Sequence, residues 1–208
     1  MAGGGHITVV DYGTGNLASV CRKLVQAGAH AELTADPARV RQAEKLVLPG
    51  VGHFGQTMAR LETRGLRQAL DHAARTRRVP VLGICLGMQL MARHSAEGGV
   101  DGLGWLDAEV VPLAVADRLR NKVPHIGWSQ VTLRRRSPLM REVPPDAEFY
   151  FVHSFNLEPR STDVILGETV YASTFVSAVA ADNLYGVQFH PEKSHDVGEL
   201  LFKNFVEL

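Results

Sequence analysis

The stretch that decides the fold is Val81-Leu82-Gly83-Ile84-Cys85-Leu86-Gly87-Met88-Gln89. Val81–Ile84 follows Pro80 and is a short unbroken apolar run, which predicts a buried strand. Leu86, Leu90 and Met91, with Met88 beside them, then recur at the spacing of one helical face. Cys85 stands at the join, flanked by Gly83 and Gly87. This G-x-C-x-G pattern is the sulfur counterpart of the G-x-S-x-G turn that lifts a nucleophile above a sheet edge. The glycines let the chain turn where a Cβ would clash, and the open N–H groups of a helix N-terminus stabilise a thiolate. A small buried cysteine in a core strand is the plainer reading. Partners elsewhere in the chain must decide between the two.

Outward from Cys85, the N-terminal half alternates strand and helix. Ile7–Val10 predicts a strand ending at Asp11, and Gly13-Thr14-Gly15-Asn16 turns the chain into a helix with Leu17, Val20, Cys21 and Leu24 on its core face. Ala31–Thr34 and Leu46–Leu48 predict two further strands. Between them Asp36-Pro37 is an N-cap followed by proline at the first helical position. Pro49–Gly52 is then a loop, and Met58 to Ala73 mark a long helix or a pair broken near Gly65. Such alternation predicts a doubly wound, flavodoxin-like and mostly parallel sheet.

After Gly98-Gly99 the pattern changes. Ala108–Leu113, Gln130–Leu133, Phe149–Val152, Val164–Leu166, Phe175–Ala180 and Leu184–Phe189 read as strands with few helices between them, an antiparallel extension of the α/β half. Asp196–Leu208 predicts a closing helix with Leu200, Leu201, Phe205 and Leu208 inward. No linker, repeat or low-complexity tract divides the 208 residues, so 1–208 reads as a single domain.

Equal numbers of acidic and basic residues, 22 each, remove the electrostatic case for nucleic acid or an acidic membrane. Arg134–Arg136 is one solvated basic run. No apolar run approaches the ~18 residues of a membrane span, and Met1–Gly5 lacks the basic start of a signal peptide. Two cysteines make no disulfide framework, and a reducing cytoplasm is the expected compartment.

The partners for Cys85 lie far along the chain, in Tyr185-Gly186-Val187-Gln188-Phe189-His190-Pro191-Glu192. Tyr185, Val187 and Phe189 alternate onto one face, which puts Gln188 and His190 on the other. Pro191 ends the strand. In extended backbone Glu192 points the same way as His190, so its carboxylate can hold one imidazole nitrogen while the other faces outward, the arrangement of a nucleophile–His–carboxylate triad. An oxyanion hole takes its first donor from the residue after the nucleophile, the N–H of Leu86. The second is expected from Val51 or Gly52, in the loop after a neighbouring parallel strand.

Gly-Ile-Cys-Leu-Gly-Met-Gln (83–89) together with Phe-His-Pro-Glu-Lys-Ser (189–194) resembles the class I, triad-type glutamine amidotransferases. Asp11–Asn16, Lys122–Trp128 and Tyr150–Ser154 narrow the likeness to the glutaminase-subunit family of imidazole glycerol phosphate synthase, over Ile7 to Leu208. His53, beside the expected oxyanion loop, stands where a small residue is usual, Ser129 departs from an expected Asn, Phe155 from a frequent Tyr, and Trp105 is bulkier than usual. The resemblance implies that Cys85 attacks the side-chain amide of glutamine and that His190 protonates the departing ammonia, without metal or cofactor. It implies that Gln89, Glu97, His153 and Ser154 hold the substrate. It further implies a (β/α)8-barrel cyclase partner, which turns the ammonia into imidazole glycerol phosphate and AICAR in histidine biosynthesis. Asn16, Trp128, Tyr150 and Lys193 match positions at or near that contact or the ammonia path.

Four rival readings remain, one of them a non-catalytic interaction protein on the same fold, against which the intact set of Cys85, His190 and Glu192 argues. Gly13–Ala18 fits G-x-G-x-x-A with Glu32 about 20 residues on, a dinucleotide fingerprint, although Glu32 falls inside the second strand. His125, His153 and His190 could in principle bind a metal, but without ligand spacing. A glutaminase serving another synthase, such as that of pyridoxal phosphate, shares the triad.

Overall fold

Strands and helices alternate from β1 (His6–Val10) through α1 (Leu17–Gln26), β2 (His30–Thr34), α2 (Pro37–Gln42), β3 (Lys45–Gly50), α3 (Phe54–Thr63) and α4 (Leu66–Asp71) to β4 (Val81–Cys85) and α5 (Leu86–Gln89). Then come β5 (His94–Ser95), β6 (Val100–Asp101), β7 (Ala108–Pro112), β8 (His125–Gln130), β9 (Thr132–Leu133), β10 (Glu148–His153), β11 (Phe155–Pro159), β12 (Ile165–Val170), β13 (Thr174–Ala181) and β14 (Leu184–Val187), closed by α6 (His195–Val206). The computed structural model describes residues 5–13, 15–116 and 121–208. Thr14, in the predicted first turn, lies outside them.

β2, β1, β3, β4 and β14 run side by side and parallel. This is the flavodoxin-like strand order, with the fifth strand supplied by the end of the chain, and it places sites at the carboxyl ends of the strands. From β14 the sheet continues antiparallel through β13 and β11 to β7, with β12 and β9 branching from β13. β8 and β10 form a separate antiparallel pair. The doubly wound sheet with an antiparallel extension is therefore the architecture found.

Period-two alternation gives each sheet face its own core. Leu46 and Leu48 of β3 bury with Val40, Met58, Leu61 and Leu70 of α2, α3 and α4. Val47 faces the other way, into the cluster of Val20 and Leu24 of α1 and Leu201, Phe202 and Phe205 of α6. β10 closes over that second core, where Phe149 stacks on Phe189 with ring centroids 4.0 Å apart.

Several expectations need correcting. Pro49 and Gly50 belong to β3, because Gly50 pairs with Cys85 across the ladder; the loop begins at Val51. The helix after Cys85 lasts only one turn. The carbonyls of Leu90, Met91 and Ala92 accept instead from the N–H groups of Leu103, Trp105, Leu106 and Gly104, which pulls the chain out of the helix. Pairing with β10 starts β8 at His125 rather than Gln130. β14 stops at Val187, and His190 turns to donate its N–H to the Tyr150 carbonyl. Cys21 is half-buried rather than core, and in α6 it is Phe202, not Leu200, that is fully buried. β5, β6 and β11 have no counterpart in the sequence reading.

The glycines around Cys85 serve close packing, not turning. A Cβ on Gly87 would fall inside the Leu48 carbonyl oxygen, and one on Gly83 would lie 2.6 Å from the Gly87 oxygen and the Met88 nitrogen. Both clashes are with backbone, which no rotamer change relieves. Gly87→Ala is therefore expected to destabilise the protein by about 3 kcal/mol or more, at the upper end for overpacking. Equilibrium denaturant unfolding checks it; a loss below about 1 kcal/mol would mean that α5 can lift off β3.

Candidate active site

Cys85 ends β4 with φ 54° and ψ −110°, left-handed backbone that a residue with a Cβ rarely adopts. Such conformations cost roughly 1–3 kcal/mol and persist only where the surroundings over-determine them. Here the Gly50 pairing before the turn and the Gly87–Leu48 approach after it fix both sides. The result is a strained strand-to-helix elbow, with Leu86 as first residue of α5, so its N–H has no acceptor within the helix. One turn of helix carries little dipole, so neighbouring side chains matter more to the sulfur than the sequence reading supposes.

His190 and Glu192 sit across from this elbow. His190 Nδ1 lies 2.8 Å from Glu192 Oε1, with the two side chains only 2% and 3% exposed. His190 Nε2 is buried and makes no hydrogen bond to another group of the described residues. Burial alone would lower the imidazole pKa. Interaction with Cys85 and then with Glu192 overcomes this and raises it to about 9. The segment is anchored by Ser194, whose hydroxyl donates to the His190 carbonyl at 2.7 Å and accepts from the Tyr150 N–H at 3.0 Å. Gly198 of α6 lets that helix close on the Pro191 carbonyl. The sequence does not single out Ser194; its signal lies in Lys193-Ser194, directly after the His190–Glu192 pair.

A cavity of about 270 Å³ opens at the sulfur, lined by Val51, Gly52, Cys85, Leu86, Gln89, Glu97, Pro124, Val152, His153, Ser154 and Phe155. All the residues expected at the oxyanion hole and the substrate are in it. Val51 and Gly52 follow directly on the Gly50–Cys85 pair, and Gly52 has φ 122°. One Glu97 oxygen accepts from the Phe54 N–H at 2.7 Å, so this carboxylate also caps α3, where His53 supplies no side-chain cap. Gln89 is buried and donates to the Phe155 carbonyl and to Gln188 Oε1, both at 2.9 Å.

His125 and His153 do not wait for a metal. His125 Nδ1 meets His153 Nε2 at 3.0 Å, His125 Nε2 meets Ser129 Oγ at 3.0 Å, and His153 Nδ1 meets the Phe155 carbonyl at 2.8 Å. All four ring nitrogens are engaged, and burial pushes both pKa values down to about 4, so both rings are neutral at pH 7. Glu32, the candidate ribose ligand, lies within β2 and pairs with Arg39.

The residues expected at a partner contact gather beside this cavity, apart from Asn16. Trp128 packs edge-on to Tyr150 at 5.9 Å and stacks on His195 at 5.0 Å, and Lys193 Nζ sits 5.3 Å over the Tyr150 ring. Asn16 is exposed at the start of α1, a helix that packs on the Pro191–Lys193 turn.

A cysteine elbow, a His–Glu pair and this sheet order define a class I glutamine amidotransferase, and the family model described as "Glutamine amidotransferase class-I" matches residues 8–208. Imidazole glycerol phosphate synthase subunit HisH 2 of Pseudomonas aeruginosa is 46% identical over 202 residues, covering 97% of this chain and 99% of its own. Subunit HisH of Moorella thermoacetica is 46% identical over 203 residues, covering 97% and 94%. The chain belongs to the class I glutamine amidotransferases and, within them, to the HisH subunits of imidazole glycerol phosphate synthase. Among solved structures, PurLQS from Thermotoga maritima superposes with a TM-score of 0.76 at 16% identity, covering 98% of both chains, a likeness of fold. Among the described residues no helix is long and apolar enough to cross a membrane.

Proposed function

We propose that this protein is the glutamine-hydrolysing subunit of an imidazole glycerol phosphate synthase in the cytoplasm, with Cys85, His190 and Glu192 as its triad. The carrying observation is the strained Cys85 elbow opening onto a cavity beside a buried His190–Glu192 pair. The sulfur attacks the amide carbon of glutamine. The C–N bond breaks, and the leaving nitrogen takes the His190 Nε2 proton to depart as ammonia. Neutral His190 then takes a proton from water as its oxygen attacks the thioester carbon. The C–S bond breaks, glutamate leaves, and thiolate and imidazolium return. The Leu86 N–H and one from Val51 or Gly52 hold the oxyanion. Gln89, Glu97, His153 and Ser154 shape the substrate's end of the cavity.

The ammonia goes to a barrel-type cyclase subunit. Ammonia in neutral water is mostly ammonium and cannot attack, so a sealed subunit contact suits the chemistry. The outward face of β8 supports this, since Ile126 is 59% and Trp128 42% exposed beside the cavity, with Tyr150 and Lys193 adjoining.

The test is the glutaminase rate of the isolated chain, of the chain with the cyclase, and of that complex with the cyclase's nucleotide ligand. Val51 is 40% exposed at the start of the oxyanion loop, free of the β3 ladder. Moving one N–H into place is worth roughly 10²–10³ in rate, and activation of that order is expected in the liganded complex. Equal rates in all three would mean a preformed site and would end the loop-switch reading. No hydrolysis in any of them would end the functional one.

A further inference from the structure

Gln188 is fully buried, two residues before His190, and has no part in the mechanism above. Its Nε2 lies 3.5 Å from Cys85 Sγ, and its Oε1 accepts from Gln89 Nε2 at 2.9 Å. We propose that Gln188 is a further catalytic residue of this site. Its amide N–H points at the Cys85 sulfur and stabilises the thiolate, once before attack and again as the sulfur leaves the acyl carbon. The inference rests on Cys85 being the nucleophile.

An amide side chain can face either way, and the surrounding network decides which. A backbone carbonyl only accepts, so the Phe155 oxygen must receive the His153 Nδ1 hydrogen at 2.8 Å and a Gln89 Nε2 hydrogen at 2.9 Å. With Nδ1 protonated and the ring neutral, His153 Nε2 accepts from His125 Nδ1, and His125 Nε2 accepts from the Ser129 hydroxyl. The chain thus has one consistent direction. It turns the second Gln89 hydrogen toward Gln188 Oε1, and that leaves Gln188 Nε2 facing the sulfur. Flipping Gln188 would set two amide donors against each other and an oxygen against a thiolate.

A further contact of the sulfur makes the donor matter. The Val152 carbonyl, 3.8 Å away, suits a thiol S–H but repels a thiolate. His190 carries a proton whenever the sulfur is a thiolate, but it must also deliver that proton to the departing nitrogen and take one from water. Gln188 transfers no proton, so its donor faces the sulfur throughout, before attack and again when the thiolate re-forms. In the thioester itself the sulfur is uncharged and the contact counts for little. A donor of this kind raises the share of the sulfur present as thiolate and the rate of thiolate departure without touching glutamine, so it acts on kcat more than on KM.

The experiment uses the full chain in a Cys21→Ala background, where Cys85 is the only thiol, and follows iodoacetamide alkylation together with glutaminase kinetics in the cyclase complex. Gln188→Met keeps the volume and removes the donor. Near neutral pH its alkylation should slow about tenfold or more, as for loss of a hydrogen bond to a charged group. The deficit should narrow in strongly alkaline solution, with His190 and Glu192 left in place. The rate constant kcat should fall by more than KM rises, since Gln188→Met also takes the acceptor from Gln89. Should Gln188→Met not fold, Gln188→Glu can still accept from Gln89 and sets a carboxylate against the sulfur, so a larger slowing is expected. Unchanged alkylation in either folded variant overturns the proposal while leaving Cys85 as nucleophile. Failure of a glutamine-analogue electrophile to label Cys85 in the parent chain overturns the nucleophile assignment instead.

Discussion

Replacing Cys85 with alanine is expected to abolish glutamine hydrolysis, on the scale of the ~10⁶-fold loss that follows removal of a triad nucleophile. The loss should be chemical, not structural. Alanine keeps the Cβ and therefore the backbone strain at φ 54°, and the elbow is held by glycine packing and strand pairing that the substitution leaves alone. Denaturant midpoints of parent and variant should nearly coincide. Cys21→Ala is the control. Cys21 is half-buried on α1, and burial raises its pKa, which makes it a poor nucleophile near neutrality. A glutamine-analogue electrophile that labels Cys21 rather than Cys85, or a Cys85→Ala protein that still releases glutamate, would sink the assignment.

How much of this was legible in the sequence depended on whether a signal was local. The Val81–Cys85 strand, the Asp36-Pro37 cap and the Leu46–Leu48 strand announce themselves through apolar runs and cap chemistry. The parallel half of the sheet follows from them. The start of β8 is not legible because His125, Gly127 and Ser129 put no apolar residue on its inner face; long-range pairing with β10 makes it a strand. β11 is hidden because only Ser154 separates it from β10 and it ends at a proline. The one-turn helix after Cys85 was overestimated for a related reason. Its apolar period continues past Gln89, but residues 103–106 claim the carbonyls that would have extended it.

The same division holds at the site. His190 and Glu192, two apart beside a proline, carry their relation in their spacing. Gln188 looks from sequence like any polar residue on the inner face of a strand, and only folding brings it to a sulfur more than a hundred residues away. His125 and His153 face each other across β8 and β10, so their pairing depends on a register that was not predicted.

Glu192→Gln is expected to leave a folded protein slowed by up to ~10⁴, the loss seen when a triad carboxylate is neutralised. The carboxylate accepts from His190 Nδ1 at 2.8 Å, while its second oxygen makes no hydrogen bond to another group of the described residues. Its action is thus concentrated on holding the imidazole with Nε2 free for the sulfur and the departing nitrogen. A glutamine can turn its amide N–H toward Nδ1, which moves the ring proton to Nε2 and leaves no base there. The charge effect should appear in titration. Against the burial that lowers it, Cys85 and Glu192 together raise the His190 pKa to about 9, so the variant should titrate lower, though not by the whole shift while Cys85 remains. The sign for stability follows. A histidine whose folded pKa lies above its unfolded value near 6.5 contributes stability that is full below about pH 6.5 and is lost as pH rises through about 9. The stability gap between parent and variant should therefore be widest below about pH 6.5 and close toward about pH 9. NMR titration of the His190 ring and denaturant unfolding across that range measure both. An unshifted imidazole in the variant would mean that Glu192 does not act on His190 at all, and a loss as large as that of Cys85→Ala in a folded protein would give the carboxylate a direct part in the proton transfers.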